Sequence, residues 1–267
     1  MNNMEKLVRE RRSVRTFDSR ELTATDKEKL FSYIEIIDNP YKLPIEFKLL
    51  PKMGCPVVVG ADLYIGAKIK DAPHLNEAFG YAFEKLVLYA QSLGIGTVWI
   101  GGTMDRDAFE KAMELTEDEV MPCVSPLGYP AAKMSLRERM MRKGIKADNR
   151  FPFEKIAFWK NFDTPLTSDV AGKLFLPIEM TRLAPSAVNK QPWRIVVMDG
   201  IVHFYLQRSK NFNGGRIDIQ KIDMGIALCH FELTAKEQGI NTQFVIEEPN
   251  IPCKNSMEYI ASYKFKI

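Results

Sequence analysis

FGYAFEKLVLYAQSLGIGTVWI, residues 79–100, aligns without a gap with MGIALCHFELTAKEQGINTQFV, residues 224–245, at an offset of 145 positions. Ordinary amino-acid usage gives roughly one or two identities in a window of this length. Seven positions are identical: Gly80/Gly225, Ala82/Ala227, Leu88/Leu233, Ala90/Ala235, Gly94/Gly239, Ile95/Ile240 and Thr97/Thr242. The match predicts a tandem duplication, with residues 1–150 as the first copy, residues 151–267 as a second, degenerate copy, and the two copies interleaved.

Two further segments fit the same offset. It pairs Phe17-Asp18 with Phe162-Asp163, and it pairs PVVVGA from Pro56 with IVHFYL from Ile201. Three anchors at one spacing allow the copies to be compared position by position.

Hydrophobic spacing predicts that each matched stretch contains a helix. Apolar residues recur every three or four positions between Leu75 and Leu93, which indicates a helix with one buried face. Gly94 suits the end of that helix, because glycine tolerates the left-handed backbone found there. A short buried strand is expected over 97–100. In the second copy we expect a helix over 220–238 and a strand over 241–247.

Other patterns predict short strands mixed with helices. We expect Thr25 and Glu28 to form a capping box at the start of a helix that ends at Ile37. Further helices are expected over residues 1–12, 105–113 and 170–183. Strands are expected over residues 44–50, 55–68, 121–130, 193–198 and 201–207, the last two joined by a hairpin turn at Asp199-Gly200. This order predicts an α+β fold of mixed and antiparallel sheets covered by helices.

Composition limits the classes of protein to consider. The 267 residues are 46% apolar, enough for a full core, and no apolar run is long enough to span a membrane. The charged start predicts no signal peptide, and four widely spaced cysteines indicate reduced thiols, so we expect a cytoplasmic protein: Cys55, Cys123, Cys229 and Cys253. A net charge of +3 argues against a nucleic-acid partner.

Several common chemistries lack their motifs. The chain has no GxGxxG or GxxxxGK[ST] loop, no HExxH and no zinc-ligand spacing, so we predict no metal site. His203 falls in an apolar strand and His230 in an amphipathic helix, where a structural role is the better interpretation.

Two single-copy motifs offer polar groups for a ligand. RRSVRTF places Arg11, Arg12, Ser13 and Arg15 within five positions, so guanidinium and hydroxyl donors could meet one oxyanion. A second basic cluster, RERMMRKGIKADNR, lies between Arg137 and Arg150. A solvated surface is the alternative interpretation of both clusters.

The second motif is APSAVNKQPW, residues 184–193. Two prolines stiffen it, Ser186, Asn189 and Gln191 carry hydrogen-bonding groups, and Trp193 adds a flat apolar body. Without a ligand, the same pattern would mark a helix end, a turn and an edge strand.

Together with GIGTVWIGG, residues 94–102, these motifs resemble the FMN-dependent nitroreductase family, and in particular its TM nitroreductase subgroup. LGYPAAK, residues 127–133, and Arg150-Phe151-Pro152 are also similar to family segments. The order differs, because the family places its APSxxNxQPW motif a few tens of residues after RRSxR, whereas here it follows about 170 residues later. Family members are typically homodimers that build each flavin site from both subunits.

The duplication explains the changed order. At the 145-residue offset, Pro185, Ser186, Asn189, Gln191 and Trp193 align with Pro40, Tyr41, Pro44, Glu46 and Lys48. In the other direction, Arg11, Arg12, Ser13 and Arg15 align with Ile156, Ala157, Phe158 and Lys160, and residues 100–102 align with residues 245–247. Each copy therefore keeps one half-site. We expect a single-chain pseudo-dimer, monomeric in solution, with one FMN site between the copies.

The resemblance implies a role for each half-site residue. Arg11, Arg12 and Ser13 would hold the FMN phosphate and ribityl chain, helped by Arg150, and Arg15 would lie near the pyrimidine end of the ring. Four residues of the second copy would close the site: Pro185, Ser186, Ala187 and Asn189. Ile100, Gly101 and Gly102 would pass beside the ring, while Gln191 and Trp193 would be packing residues.

The implied activity is two-step hydride transfer by an FMN-dependent oxidoreductase. NADH or NADPH would reduce the flavin, which would then reduce a nitroaromatic, a quinone or a similar small acceptor, with no catalytic side chain required. Three alternatives stay open: an FMN carrier or sensor without turnover, a specialised deiodinase-like or flavin-fragmenting enzyme, and a duplicated α+β protein with an unrelated anion ligand.

Overall fold

The structure, a computed structural model, describes residues 3–210, 212, 215–253 and 256–266, with the side chain of residue 266 left out. The described residues form two compact units. The first unit comprises residues 10–147, and the second comprises residues 3–9 together with residues 148–266. No described helix is long and apolar enough to cross a membrane.

The first unit contains four helices that lie wholly within it and one antiparallel sheet. Its elements are α2 (Ala24–Ile34), β1 (Ile45–Pro51), β2 (Leu63–Lys70), α3 (Leu75–Ser92), α4 (Arg106–Ala112), β3 (Glu119–Val120), β4 (Val124–Leu127) and α5 (Leu136–Gly144). Strand β2 is central, because β1 pairs along one edge while β3 and β4 pair along the other. Helix α3 packs against β2 and α2.

The second unit repeats part of this order. Helix α1 (Met4–Glu10) begins it, and its other elements are β5 (Ala157–Trp159), α6 (Ser168–Ala171), α7 (Phe175–Arg182), β6 (Trp193–Met198), β7 (Ile201–Gln207), α8 (Ile219–Glu237), β8 (Asn241–Val245) and β9 (Met257–Lys266). The strand order is β5-β6-β7-β9-β8, with β5 parallel to β6 and every other pair antiparallel. This confirms the predicted α+β class with mixed and antiparallel sheets.

Helices α3 and α8 end in the same way, 145 residues apart. Gly94 and Gly239 both adopt a left-handed backbone, with φ of 74° and 70°. The next residue, Ile95 or Ile240, donates its N–H to the carbonyl five positions earlier at 2.9 Å. This is the glycine-terminated helix end that the sequence predicts. The hairpin turn at Asp199-Gly200 is also confirmed, because both residues have positive φ and Met198 pairs with Ile201.

Several predicted boundaries were wrong. Helix α2 begins one residue before Thr25, and Thr23 is its N-cap: the Thr23 hydroxyl accepts from the Asp26 N–H at 3.1 Å. The predicted Thr25 capping box therefore does not exist, and α2 ends at Ile34, not Ile37. The helix predicted over residues 170–183 is interrupted at Gly172, whose φ of 51° ends α6.

The predicted strand over residues 55–68 was wrong in its first half, because β2 begins only at Leu63. PVVVGA is therefore not the counterpart of β7, and that anchor of the 145-residue frame fails. Residues 97–100 do not form a regular strand either. They make isolated bridges in which Thr97 pairs with Ser13 and Ile100 pairs with Val124.

Three features escaped prediction. Helix α5 and strands β5 and β9 were not expected, although MEYIASYKFK in β9 shows the alternation of a strand with two different faces.

Helix α3 was expected to bury one face, yet it is buried on nearly every side, including Glu77 and Glu84. Contacts from α2, β2 and Trp99 account for this, because Trp99 packs on Phe83 with a ring separation of 4.7 Å.

Candidate functional site

The arginine run of the first unit lies beside the GIGTVWIGG segment. Ser13 pairs with Thr97 in a parallel bridge, and the Val14 N–H donates to the Thr97 carbonyl at 2.9 Å. Gly96 permits this approach, because a Cβ there would lie 2.9 Å from the Val14 side chain. The structure thus brings together two motifs whose bridged residues, Ser13 and Thr97, are 84 positions apart in the chain.

A buried carboxylate holds one side of the arginine run. Glu138 accepts from Arg12 Nη1 at 3.3 Å and from the Thr16 hydroxyl at 2.8 Å, while its own side chain is 1% exposed. Ser135 caps α5 by accepting from the Glu138 N–H at 3.2 Å. Glu138 therefore fixes Arg12, and the Ser135-x-x-Glu138 pattern is a capping signal in the sequence that could have revealed it.

Arg15 carries a buried donor with no acceptor among the described residues. Its Nη1 is inaccessible and makes no hydrogen bond there. Burial lowers the pKa of Arg15; Glu138 opposes that shift and Arg142 adds to it. Burial also lowers the pKa of Arg11, with Glu84 opposing and Arg142 adding. A bound anion would satisfy such donors and offset their mutual repulsion.

Residues 100–102 form a loop that Arg106 holds in place. The Arg106 guanidinium donates to the carbonyls of Gly101 and Met121 at 2.7 and 2.8 Å. The Ile100 N–H already donates to Val124, so it is not available to a ligand. The N–H groups of Gly101 and Gly102 donate to no acceptor among the described residues. A Cβ on Gly102 would face open space, which leaves room beside the loop.

The second unit presents the PSAVN segment as a tight turn between α7 and β6. The Ser186 hydroxyl accepts from the Gln191 N–H at 2.9 Å, and the Ser186 carbonyl accepts from the Asn189 N–H at 3.0 Å. Val188 and Asn189 have φ of 41° and 58°. Val188 is β-branched, and such a residue is strained in the left-handed region of the backbone. Contacts with the surrounding residues must therefore hold this turn in place.

Arg150 lies against this turn. Its Nη1 donates to Asn189 Oδ1 at 3.1 Å, and its Nη2 donates to the Leu183 carbonyl at 3.2 Å. The predicted packing residues are indeed inside: Trp193 is fully buried, and Gln191 accepts from the Phe151 N–H at 2.8 Å. The structure therefore groups Arg150 with the second half-site.

A carboxyl group missed from the sequence supports the same turn. Asp223, in the first turns of α8, is 3% exposed and accepts from the Ala187 N–H through Oδ1 at 2.9 Å. Its Oδ2 is buried and meets no donor among the described residues. Burial raises the pKa of Asp223 well above its ordinary value, the Ala187 bond opposes this, and Asp218 adds to it. The signal was an acid within an apolar helical stretch, IDMGIAL.

The 145-residue offset paired the wrong residues of the two half-sites, with an error of three positions. The segments between helix cap and strand have equal length, residues 36–44 in the first unit and 184–192 in the second. Equivalent positions are therefore 148 apart there, which matches Lys42 with Lys190 and Pro44 with Pro192. Pro185, Ser186 and Asn189 then correspond to Ile37, Asp38 and Tyr41, so the first unit still lacks the PSxxN residues.

The two buried histidines have structural partners. His203 Nδ1 lies 2.7 Å from the Ser262 hydroxyl, and His230 Nδ1 lies 3.1 Å from the Met180 carbonyl. This agrees with the structural role expected for both.

Comparison with known proteins identifies the fold. A structure described as a "putative nitroreductase" from Thermotoga maritima superposes with a TM-score of 0.63 at 23% identity, covering 99% of this chain and 94% of that chain. A nitroreductase family protein from Clostridium difficile gives 0.44 at 17% identity, covering 58% and 96%. A nitroreductase from Desulfovibrio desulfuricans, crystallised with FMN, gives 0.42 at 18%, covering 52% and 95%. The Thermotoga maritima structure covers nearly the whole chain and shows that the α+β architecture is a nitroreductase fold.

A family model described as "Putative TM nitroreductase" matches residues 3–235. The chain belongs to this nitroreductase family, which places it among the oxidoreductases. No curated protein matches the chain.

Proposed function

We propose that the protein is an FMN-dependent oxidoreductase that takes electrons from NADH or NADPH and reduces nitroaromatics, quinones or similar small acceptors. The observation that carries this proposal is the buried Nη1 of Arg15, which makes no hydrogen bond with any described residue. Membership of a nitroreductase family and the presence of both half-site motifs support it.

The first unit would hold the phosphate and the ring edge. Arg11, Arg12 and Ser13 would supply donors for a phosphate, and Arg15 would supply a cation near the pyrimidine. The free N–H groups of Gly101 and Gly102 are the candidates to meet the ring, since the Ile100 N–H is engaged with Val124. When bound, FMN would accept a hydride and pass electrons to the acceptor, so no side chain needs to be a nucleophile.

The second unit would close the same site. Pro185, Ser186, Ala187 and Asn189 are the family's PSxxN residues, and Arg150 would add a second phosphate donor. Because the first unit has Ile37, Asp38 and Tyr41 at the equivalent positions, we propose one FMN per chain and a protein that needs no partner chain.

A flavin titration tests the cofactor. Purified protein should bind FMN at one equivalent per chain, and the quenching of flavin fluorescence measures this binding. Arg15→Gln should weaken FMN binding about tenfold or more, because a charge-assisted donor is lost. Arg20→Gln, an exposed arginine of the same segment, is the matched control and should bind FMN normally. Two equivalents of FMN, or no binding, would contradict the proposal.

A second measurement tests turnover. NADH or NADPH should bleach the bound flavin, and a nitroaromatic or quinone should restore its colour. Protein that binds FMN but is never bleached would be a carrier or sensor, and the enzyme proposal would then fail while the cofactor proposal stands.

A further inference from the structure

The second unit contains a cavity of about 570 Å³ that the flavin proposal does not use. It opens on the sheet face opposite α8. Phe204 of β7 packs on Phe231 of α8 at a ring separation of 5.3 Å, so the next residue, Tyr205, points to the other face. Arg194 pairs with Tyr205 across the strands and therefore shares that outer face.

Arg194 is a partly buried cation in the lining of this cavity. Its Nη1 donates to the carbonyls of Gln191 and Trp193 at 3.1 and 2.6 Å, and the Phe151 ring lies 5.7 Å from Cζ. No described carboxylate pairs with this guanidinium. Burial, the single cause of the shift, lowers the pKa of Arg194 to about 10. A partly buried cation without a described acid partner favours an anionic ligand.

Aromatic and sulfur-containing side chains form the apolar part of the cavity wall. Phe158 and Phe162 meet edge to face at 5.6 Å, and Met257 pairs with Gln207 in the β7/β9 register. The Gln207 side chain makes no hydrogen bond with another described residue. Aromatic side chains beside Arg194 and this amide suit a planar ligand that is apolar at one end and anionic at the other.

Other charged residues line the cavity at its rim. Glu154, Lys155 and Asp163 are exposed, so water and salt screen their charges. Two acids and one base leave these rim residues with a net charge of −1. Arg194 is less exposed than any of them, so its charge is screened less, and it is the cation that a bound anion would meet.

We propose that this cavity binds a small aromatic carboxylate, with its anionic group on Arg194 and Gln207 and its ring against Phe158, Phe162 and Met257. None of the lining residues is among those proposed to hold FMN, so this proposal does not rest on the flavin proposal. Arginine matches a carboxylate well because its guanidinium can donate two parallel hydrogen bonds.

Calorimetric titration with naphthalene-2-carboxylate, in the presence of excess FMN, tests this. The carboxylate should bind about tenfold or more tightly than the uncharged naphthalene-2-carboxamide, which has the same ring. Arg194→Gln should remove this preference. Lys155→Gln, at the exposed rim, should change the affinity by about twofold at most. Equal binding of acid and amide, or no binding of the acid, would overturn the proposal.

Two further measurements locate the site without altering Arg194, whose contacts with backbone carbonyls also stabilise the fold. Met257→Trp should narrow the cavity where the ring is proposed to lie and weaken binding of the carboxylate about tenfold or more. Cys253 lines the cavity and is exposed, whereas the other three cysteines are buried, so bound carboxylate should slow its alkylation by iodoacetamide. Unchanged binding to Met257→Trp, or unprotected Cys253, would assign the carboxylate elsewhere and refute this site.

Discussion

Asp223 is a buried acid that accepts a hydrogen bond from the PSAVN turn. Its pKa is raised by burial, so the folded protein binds a proton that the unfolded chain releases above about pH 4. The stability gained from that proton is present at low pH and is lost as the pH rises from the ordinary value of 3.8 through the folded-state pKa.

Two variants separate charge from hydrogen bonding at Asp223. Asp223→Asn cannot ionise and can still accept from Ala187, so its stability relative to the native protein should increase as the pH rises. Asp223→Ala leaves the Ala187 N–H without an acceptor and should lose about 1–3 kcal/mol. Urea unfolding at about pH 5 and about pH 8 measures both effects. A native protein that gains stability over Asp223→Asn at the higher pH would show that the carboxylate is ionised in the fold.

Gly96 is the second residue on which a half-site depends. Gly96→Ala would place a methyl group 2.9 Å from Val14 Cβ, and a β-branched side chain cannot turn away. We expect a loss of about 1–3 kcal/mol in the free energy of unfolding, and Val14→Ala should restore part of it. Gly102→Ala is the control, because open space surrounds that position, and its stability should be unchanged. Equal effects of both alanines would contradict the packing argument.

At the scale of elements, regular patterns were predictable and loop geometry was not. The ends of α3 and α8, the β6/β7 hairpin and the class of the fold follow from glycine positions and hydrophobic spacing. The offset of 145 holds for α3 and α8, but it is 148 for the segments that precede β1 and β6. It changes because the loops between β1 and α3 differ in length from those between β6 and α8. A gap-free alignment therefore identified the right helices and the wrong partner for Ser186.

The candidate site shows the same division. Arg15 and Ser186 were proposed from the sequence because each lies in a short, recognisable run of polar residues. Arg106 has no local signal in the sequence. Glu138 lies in a capping pattern and Asp223 lies in an apolar helical stretch, but their contacts with Arg12 and Ala187 cannot be read from those local patterns. Their burial is a property of the packed unit, which spacing alone does not reveal.

Strand β7 contains a histidine that makes the second sheet sensitive to acid. Burial lowers the pKa of His203 from 6.5 to about 4, so the folded protein keeps it neutral. The unfolded chain takes up that proton first, and about 3 kcal/mol of stability should be lost as the pH falls from 6.5 to about 4. His203→Gln should be less stable near neutral pH, and this deficit should shrink by that amount in acid.

Urea unfolding across this pH range checks the His203 prediction. If His203→Gln retains the same dependence as the native protein, other groups cause the acid sensitivity.

At the scale of the whole molecule, the first described residues of the chain do not belong to the same compact unit as the residues that follow them. Residues 3–9 belong with residues 148–266, although residues 10–147 separate them in the chain. The Glu237 carboxylate at the end of α8 accepts from the Met4 N–H at 2.8 Å and also from the Asn3 N–H. Met4 and Val8 are buried on the same side of α1. The second unit is therefore complete only with the first residues of the chain.

Shortening the Met4 side chain should lower the stability of the second unit selectively. Met4→Ala removes a side chain that is 2% exposed, and a loss of about 2–5 kcal/mol is expected for a buried methionine. Hydrogen exchange measured by mass spectrometry should rise in α7 and α8 more than in α2 and α3. Lys6→Ala, on the exposed side of α1, should leave exchange unchanged. Faster exchange confined to the first unit would show that α1 stabilises residues 10–147 instead, and the assignment of residues 3–9 would then be wrong.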